Sequence, residues 1–550
     1  MLVATRCLVA FLLLGLAASA SAQPTPGHCA PGTASADLDV SDVLARVFNG
    51  GNLFFGEGSQ AVYVIPRATA IDPIPKTPIF AAGLWIGGKV DGEVRVAGSR
   101  YANFEFWPGP LDEGEVLTPG DCARHDRIYT VSRDDVRRYL ETGEATADLR
   151  DWPAHLGAPV LDGDGVEGNY DLAGGDQPAV WGSQAAWWVM NDAGNVHRGS
   201  GSPPLGIEVQ GTAFAVALPT SVLDRATFYR YRILNRNRAA IDSAYVAFFV
   251  DPDLGDAADD YVGSDTTLGM GYAYNGRPVD YVYGAPPAVG VQVVQGPVGL
   301  PNGRDDDGDG EVDEAGERLG MTSFSYFQGV PDPSVSDPST REMYYNYMQG
   351  LWGDGTPMTA EGNGYQTDGE ITKFAFPGDP VTVQDWSEIA EDNPPGDRRF
   401  VVVTGPFRLE AGGEEEVVFA IPFAWASSNL GSVVALREAA RVIRDVWELL
   451  APARVEGEGS PPPPPLAVAR PSPNPFTDRL AVRFSVPEPI AVRLSVYDVL
   501  GREVAVLVDG ERGPGEHEAA LDTSSLPAGV YLVRYEVPGA VRTFPVVRTR

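Results

Sequence analysis

Five consecutive prolines, Pro461 to Pro465, follow Gly457-Glu458-Gly459-Ser460 and divide the chain. Proline has a fixed φ and no amide hydrogen. Such a run joins neither a helix nor an inner strand and stands as a stiff, extended spacer. We therefore read a linker over 456–466 between a body, 23–455, and a small C-terminal domain, 467–550. The 63 glycines and 47 prolines suit strands joined by many turns rather than long helices.

The C-terminal domain alternates cleanly. Leu480, Val482, Phe484 and Val486 point one way, and Val492, Leu494 and Val496 repeat the pattern. Further strands are expected at Glu503–Val508, His517–Leu521, Val530–Glu536 and Val541–Val547, with turns at Leu500-Gly501-Arg502, Gly513-Pro514-Gly515 and Pro527-Ala528-Gly529. This spacing predicts a β-sandwich. Pro473-Asn474-Pro475-Phe476, Val496-Tyr497-Asp498-Val499-Leu500-Gly501-Arg502-Glu503-Val504 and Leu526-Pro527-Ala528-Gly529-Val530-Tyr531-Leu532-Val533-Arg534 occur in that order. On these motifs the domain resembles the type A C-terminal sorting domain of type IX secretion cargo. The resemblance implies an immunoglobulin-like fold, type IX secretion machinery as the partner of 467–550, and export across an outer membrane. In that family the domain is often cleaved and the body attached to a surface glycolipid. One departure is arginine at the end, Arg548 and Arg550, where lysine is common in the family.

The other end agrees. Arg6, the apolar run Leu8 to Ala18 and Ala20-Ser21-Ala22 read as a signal peptide, 1–22, with the mature chain starting at Gln23. The apolar run is shorter than the ~20 residues a bilayer needs, and no transmembrane segment is expected in the mature chain. Cys29 and Cys122 remain after cleavage, either as a disulfide or as two free thiols. The net charge of −34 argues against nucleic acid as a partner and favours cations.

In the body, strands are expected at Gly206–Leu218, Thr227–Leu234, Ser243–Val250, Phe400–Val403 and Glu416–Phe423. One sandwich with elaborate loops and two adjoining sandwiches both fit. Two helices are expected. One follows Ser132, with Asp135 as a capping-box partner, and ends at Gly143. The other spans Ser432 to Leu450, on the spacing of Ala435, Ala439, Val442, Val446 and Leu449. The fold class is thus mostly β: a β-sandwich-rich body with long Asp/Gly loops and few helices, plus the C-terminal sandwich. Phe80–Gly88, Phe106–Pro110, Trp187–Asp192, Asp251–Asp253, Asp259–Gly263 and Gly271–Asn275 resemble segments of large secreted proteins from bacteria that use this export system. That likeness implies a location and no activity.

Three aspartate loops carry the chemistry. In Asn302–Glu314, Asp305, Asp307 and Asp309 alternate before Gly310, as at the start of an EF-hand loop. Alternating carboxylates in a curled loop converge on one hard cation, Glu311 can offer its carbonyl, and either Asp313 or Glu314 closes the expected set. Gly316 stands where an EF-hand has its bidentate glutamate, so the loop is instead similar to the calcium repeats of thrombospondin-like proteins. Calcium is the expected cofactor, in a structural role. Weaker candidates are Asp162 and Asp164, where calcium and a plain glycine turn compete, and Asp251, Asp253, Asp256, Asp259 and Asp260 beyond the strand Val246–Val250.

His28, His125, His155, His197 and His517 form no zinc spacing, and neither a phosphate loop nor a nucleophile elbow is present. Trp181, Trp187 and Trp188, with Trp107 and Trp152 upstream, either stack on sugars or pack a core. Trp187 and Trp188 face opposite sides of a strand, so at most one need be core. The leading reading is a non-enzymatic, calcium-braced surface or extracellular protein, structural or adhesive, with surface glycans or envelope components as partners. The competing reading is a secreted glycan-binding protein or hydrolase.

Overall fold

A computed structural model describes residues 27–549 except 57, 68–73, 115, 167, 301–315, 331, 333, 383–384, 456–466, 469–470, 487–489, 513–514, 524–525 and 538–539. The body is one sandwich of two nine-stranded antiparallel sheets. The first runs Ser35–Leu38, Leu44–Phe48, Asn52–Leu53, Ala81–Val90, Ile241–Asp251, Arg398–Leu409, Ser323–Gln328, with two short strands beside this path. The second runs Tyr129–Ser132, Gln184–Asn191, Ile207–Ala215, Ala226–Asn235, Glu414–Trp425, Pro287–Gln295, Met270–Asn275, Asp260–Asp265, with Trp107–Pro108 at one side.

Aromatic side chains join the sheets. Phe248 of the first lies 5.5 Å from Tyr229 and 5.2 Å from Phe419 of the second, ring centre to ring centre. Inward positions alternate along each strand, as Tyr229, Tyr231 and Ile233 show. The opposite face of the second sheet is also buried. Ala185, Trp187, Val189, Phe214 and Phe228 pack there with Ile443 and Val446 of a long helix, Asn429–Val446. Trp187 and Trp188 are therefore each 1% exposed, in two different cores. Strand geometry alone requires at most one of them to be core, and both are: opposite faces of a strand are both interior when helices cover the outer one.

The helix Arg133–Thr142 has the expected caps. Ser132 and Asp135 form the capping box, and Gly143 closes the helix at φ 77°. The long helix begins earlier than expected, capped by Ser428, and its last turn, Trp447–Leu450, is 3-10. Its buried residues are Ser432, Val433, Leu436, Ala439, Ala440, Ile443 and Val446, so Ala439 and Val446 of the stripe read in the sequence are buried while the centre of the buried face lies toward Leu436 and Ile443. Helix Arg341–Met348 lies against the first sheet, where Tyr344 packs on Trp85 at 4.5 Å. Its polar, tyrosine-rich sequence hid it.

The C-terminal segment has its own core, including Leu480, Phe484, Leu494, Val496, Val533 and Tyr535. It lies between a three-stranded sheet (Ala467–Val468, Arg479–Val486, Gly515–Asp522) and a four-stranded one (Glu503–Arg512, Ile490–Asp498, Gly529–Val537, Ala540–Arg548).

Cys29 and Cys122 form a disulfide with Cα atoms 5.8 Å apart, tying the start of the body to a short helix, Pro119–Arg124. Closing a loop of 93 residues restricts the unfolded chain and stabilises the fold by about 4–5 kcal/mol. Replacing both cysteines by serine should lower the denaturation midpoint by a corresponding amount in a urea titration. An unchanged midpoint would show that the bridge constrains nothing the fold needs.

Candidate cation sites and the C-terminal domain

Residues 302–314, and with them Asp305, Asp307, Asp309, Glu311 and Asp313, lie outside the described residues. The two weaker candidates are described, and each gains an aspartate that the sequence did not point to.

In the first, a hairpin pairs Leu161 with Gln177, which sets Asp162 opposite Asp176 one step further on. Carboxylate oxygens of Asp162, Asp164 and Asp176 lie within 4.8 Å of one another. Backbone amides shape the loop. Asp162 accepts from Gly165 N at 2.7 Å, Asp164 from Val166 N at 2.8 Å, and Asp176 from Gly163 N at 2.8 Å and Asp171 N at 2.7 Å. The amides of Asp171 and Gly163 hold the Asp176 carboxyl below the usual carboxylate range. Arg454 donates to the Leu161, Asp162 and Gly175 carbonyls and fastens the loop to the chain after the long helix. Three converging carboxylates fit a hard, oxygen-seeking cation.

The second group stands at the sandwich rim. The ladder pairs Val250 with Phe400, so Asp253 comes alongside Asp397 as the two strands run out. Oxygens of Asp251, Asp253 and Asp397 lie within 4.8 Å of one another. Asp251 accepts from the Tyr101 hydroxyl at 2.6 Å, and Arg399 Nε lies 3.5 Å from its other oxygen. Arg399 also reaches Asp397 at 3.1 Å. Burial raises the Asp251 carboxyl to about 7, against the pull of Arg399, and raises Asp253 to about 6 with help from Asp397. Asp259 does not join this group. It accepts from Asn275 Nδ2 at 2.9 Å and faces Arg277 at 3.9 Å.

The next residue, Arg398, is fixed by a buried ion pair with Glu388 at 2.8 Å, the side chains 5% and 1% exposed. Glu388 also accepts from Val262 N in the second sheet at 2.9 Å. Asp397 thus extends from a rigid anchor. The tryptophans offer no open face for sugars: Trp107, Trp152, Trp187 and Trp188 are buried, and half-buried Trp181 stacks on Trp447 at 5.4 Å.

Each C-terminal motif has a structural task. The Asn474 side chain accepts from Val547 N at 2.8 Å and donates to Pro545 O at 3.1 Å, fastening the first motif to the last strand. Phe476 is 1% exposed in the core. Asp498 Oδ1 accepts from Leu500 N and Arg502 N, both at 3.0 Å, and Gly501 has φ 74°, which a glycine adopts without strain. Tyr531 donates to Pro527 O at 2.8 Å and holds the third turn. Residues 472–543 match the family of secretion system C-terminal sorting domains. The C-terminal segment is a type IX sorting domain. The sorting domain sends the protein to the extracellular space or cell surface and implies handling by the type IX secretion machinery. It rests on the body where Arg133 Nη1 donates to Asn474 O at 3.1 Å and Val547 joins the outer core. No helix among the described residues is long and apolar enough to cross a membrane.

No curated protein matches the chain. A solved polysaccharide lyase aligns at 8% identity with a TM-score of 0.24, over 97% of this chain and 47% of its own, so this chain spans about half its length. A likeness that low carries no argument about activity.

Replacing Arg398 by methionine leaves Glu388 buried without its counter-charge, which costs about 3–5 kcal/mol. Chemical denaturation should show that loss. A cost under about 1 kcal/mol, the range of exposed pairs, would contradict the pair's role as an anchor.

Proposed function

We propose that this exported protein is a non-enzymatic surface or extracellular scaffold, structural or adhesive, whose long loops are braced by calcium. One observation carries the reading: Asp162, Asp164 and Asp176, from the two ends of a long surface loop, converge within 4.8 Å on one point. The loop has little apolar content of its own, so a cation binding the folded form alone would contribute its binding free energy to the loop's order. The alternating aspartates Asp305, Asp307 and Asp309 belong to the same chemistry. In this reading residues 1–22 are a removed signal peptide, and the three- and four-stranded C-terminal sandwich is immunoglobulin-like. Burial of the tryptophans speaks for a scaffold over a glycan-binding protein.

Thermal unfolding of the mature full-length chain, with calcium and with chelator, tests this. Calcium at 100 times Kd adds about 2.7 kcal/mol per site, a rise of several degrees in Tm. The rise should shrink in Asp162→Asn with Asp164→Asn, and again in Asp307→Ala with Asp309→Ala. Equal melting temperatures with calcium and with chelator would end the ion-braced reading.

A further inference from the structure

His197 belongs to neither aspartate group, and its side chain is 0% exposed. It lies in the loop 192–206, between the second-sheet strands Gln184–Asn191 and Ile207–Ala215. Its Nδ1 stands 2.8 Å from Val96 O, on the first-sheet strand Glu93–Gly98. Its Nε2 stands 2.7 Å from Asp192 O. A carbonyl oxygen only accepts, so each ring nitrogen has to donate. A neutral imidazole carries one N–H and would set its lone pair against one of these oxygens. Only the doubly protonated ring satisfies both contacts, and no solvent reaches the ring to replace either.

The surroundings supply the counter-charge. Glu105 Oε2 lies 3.7 Å from Nδ1 and Asp192 Oδ2 lies 3.9 Å from Nε2, both carboxylate side chains 0% exposed. Backbone amides fix each of them. Glu105 accepts from Gly98 N at 2.9 Å and Ser200 N at 2.6 Å. Asp192 accepts from Leu205 N, from Gly206 N at 2.9 Å and from Ile207 N at 2.8 Å. Burial pushes the Asp192 carboxyl up, while the His197 charge and these amides draw it back. Two further groups face the cluster. Arg95 donates to Pro204 O at 3.0 Å and interacts electrostatically with Asp192, and Tyr344 interacts with Glu105 in the same way. A charge this deeply buried persists when it is both paired and hydrogen-bonded.

We propose that His197 is a buried imidazolium, and that its second proton is a lock clamping the loop 192–206 to the first sheet at Val96. Losing the proton breaks one of the two carbonyl contacts and leaves Glu105 and Asp192 with no cation between them. The histidine of the unfolded chain gives up its proton near pH 6.5. The lock therefore contributes fully below that pH, and its contribution falls as the pH rises and the proton is lost from the fold. It works without calcium, so it stands or falls apart from the ion-braced reading.

Nitrogen NMR of the full mature chain, labelled with 15N-histidine and kept in chelator, reads the ring directly. The chain has five histidines, and His197→Gln identifies the signal by its loss. At about pH 8, where an ordinary histidine is neutral, one ring should still carry protons on both nitrogens. In urea titrations, the advantage of the wild type over His197→Gln in folding equilibrium constant should fall by up to about tenfold per pH unit above neutrality. Five rings each with one bare nitrogen at that pH would overturn the proposal, whether or not the variant folds. A wild-type advantage that does not change with pH would overturn it as well.

Discussion

The contact of Phe248 with Tyr229 and Phe419 sets the distance and register of two large sheets, and the loops take their positions from that frame. Sheets that pack face to face with close-packed interiors fix the ends of their inner strands. The second sheet is further constrained because the helix Asn429–Val446 covers its outer face. A side chain at the end of any inner strand therefore occupies a fixed place. Asp251 is such an end in the first sheet, and Asp260 opens the edge strand of the second. Their carboxylates are buried because the frame leaves them no freedom to turn to solvent.

The sorting domain was legible in the sequence almost strand by strand. Its strands are buried on one face only, so apolar and polar residues alternate, and Arg479–Val486 and Ile490–Asp498 fall within two residues of the pattern at either end. Body strands such as Ile241–Asp251 are buried on both faces and read as unbroken apolar runs, whose ends are set by the ladder and not by pattern. Phe400–Val403 grew to Arg398–Leu409 for the same reason. The helix capped by Ser132 was legible because its caps are local.

The candidate sites were half legible. Asp162, Asp164, Asp251 and Asp253 stand in obvious acidic loops. Asp176 and Asp397 do not, because their membership depends on pairing. Asp176 arrives through a hairpin, and Asp397 through a ladder between segments far apart in the chain. Asp259 sits in the same run as Asp260, yet it turns to Asn275 and Arg277. Adjacent residues at a strand entrance face different neighbours, and spacing alone does not say which.

The central claim is that cations order the rim loops of a sandwich that is otherwise complete. Amide hydrogen exchange of the full mature chain, with calcium and with chelator, tests it most directly. The account predicts slower exchange with calcium in 162–176, and unchanged exchange in the inner strands Ala226–Asn235 and Glu414–Trp425. Loops that exchange alike in both conditions would contradict it, and so would calcium protection spread evenly over those inner strands.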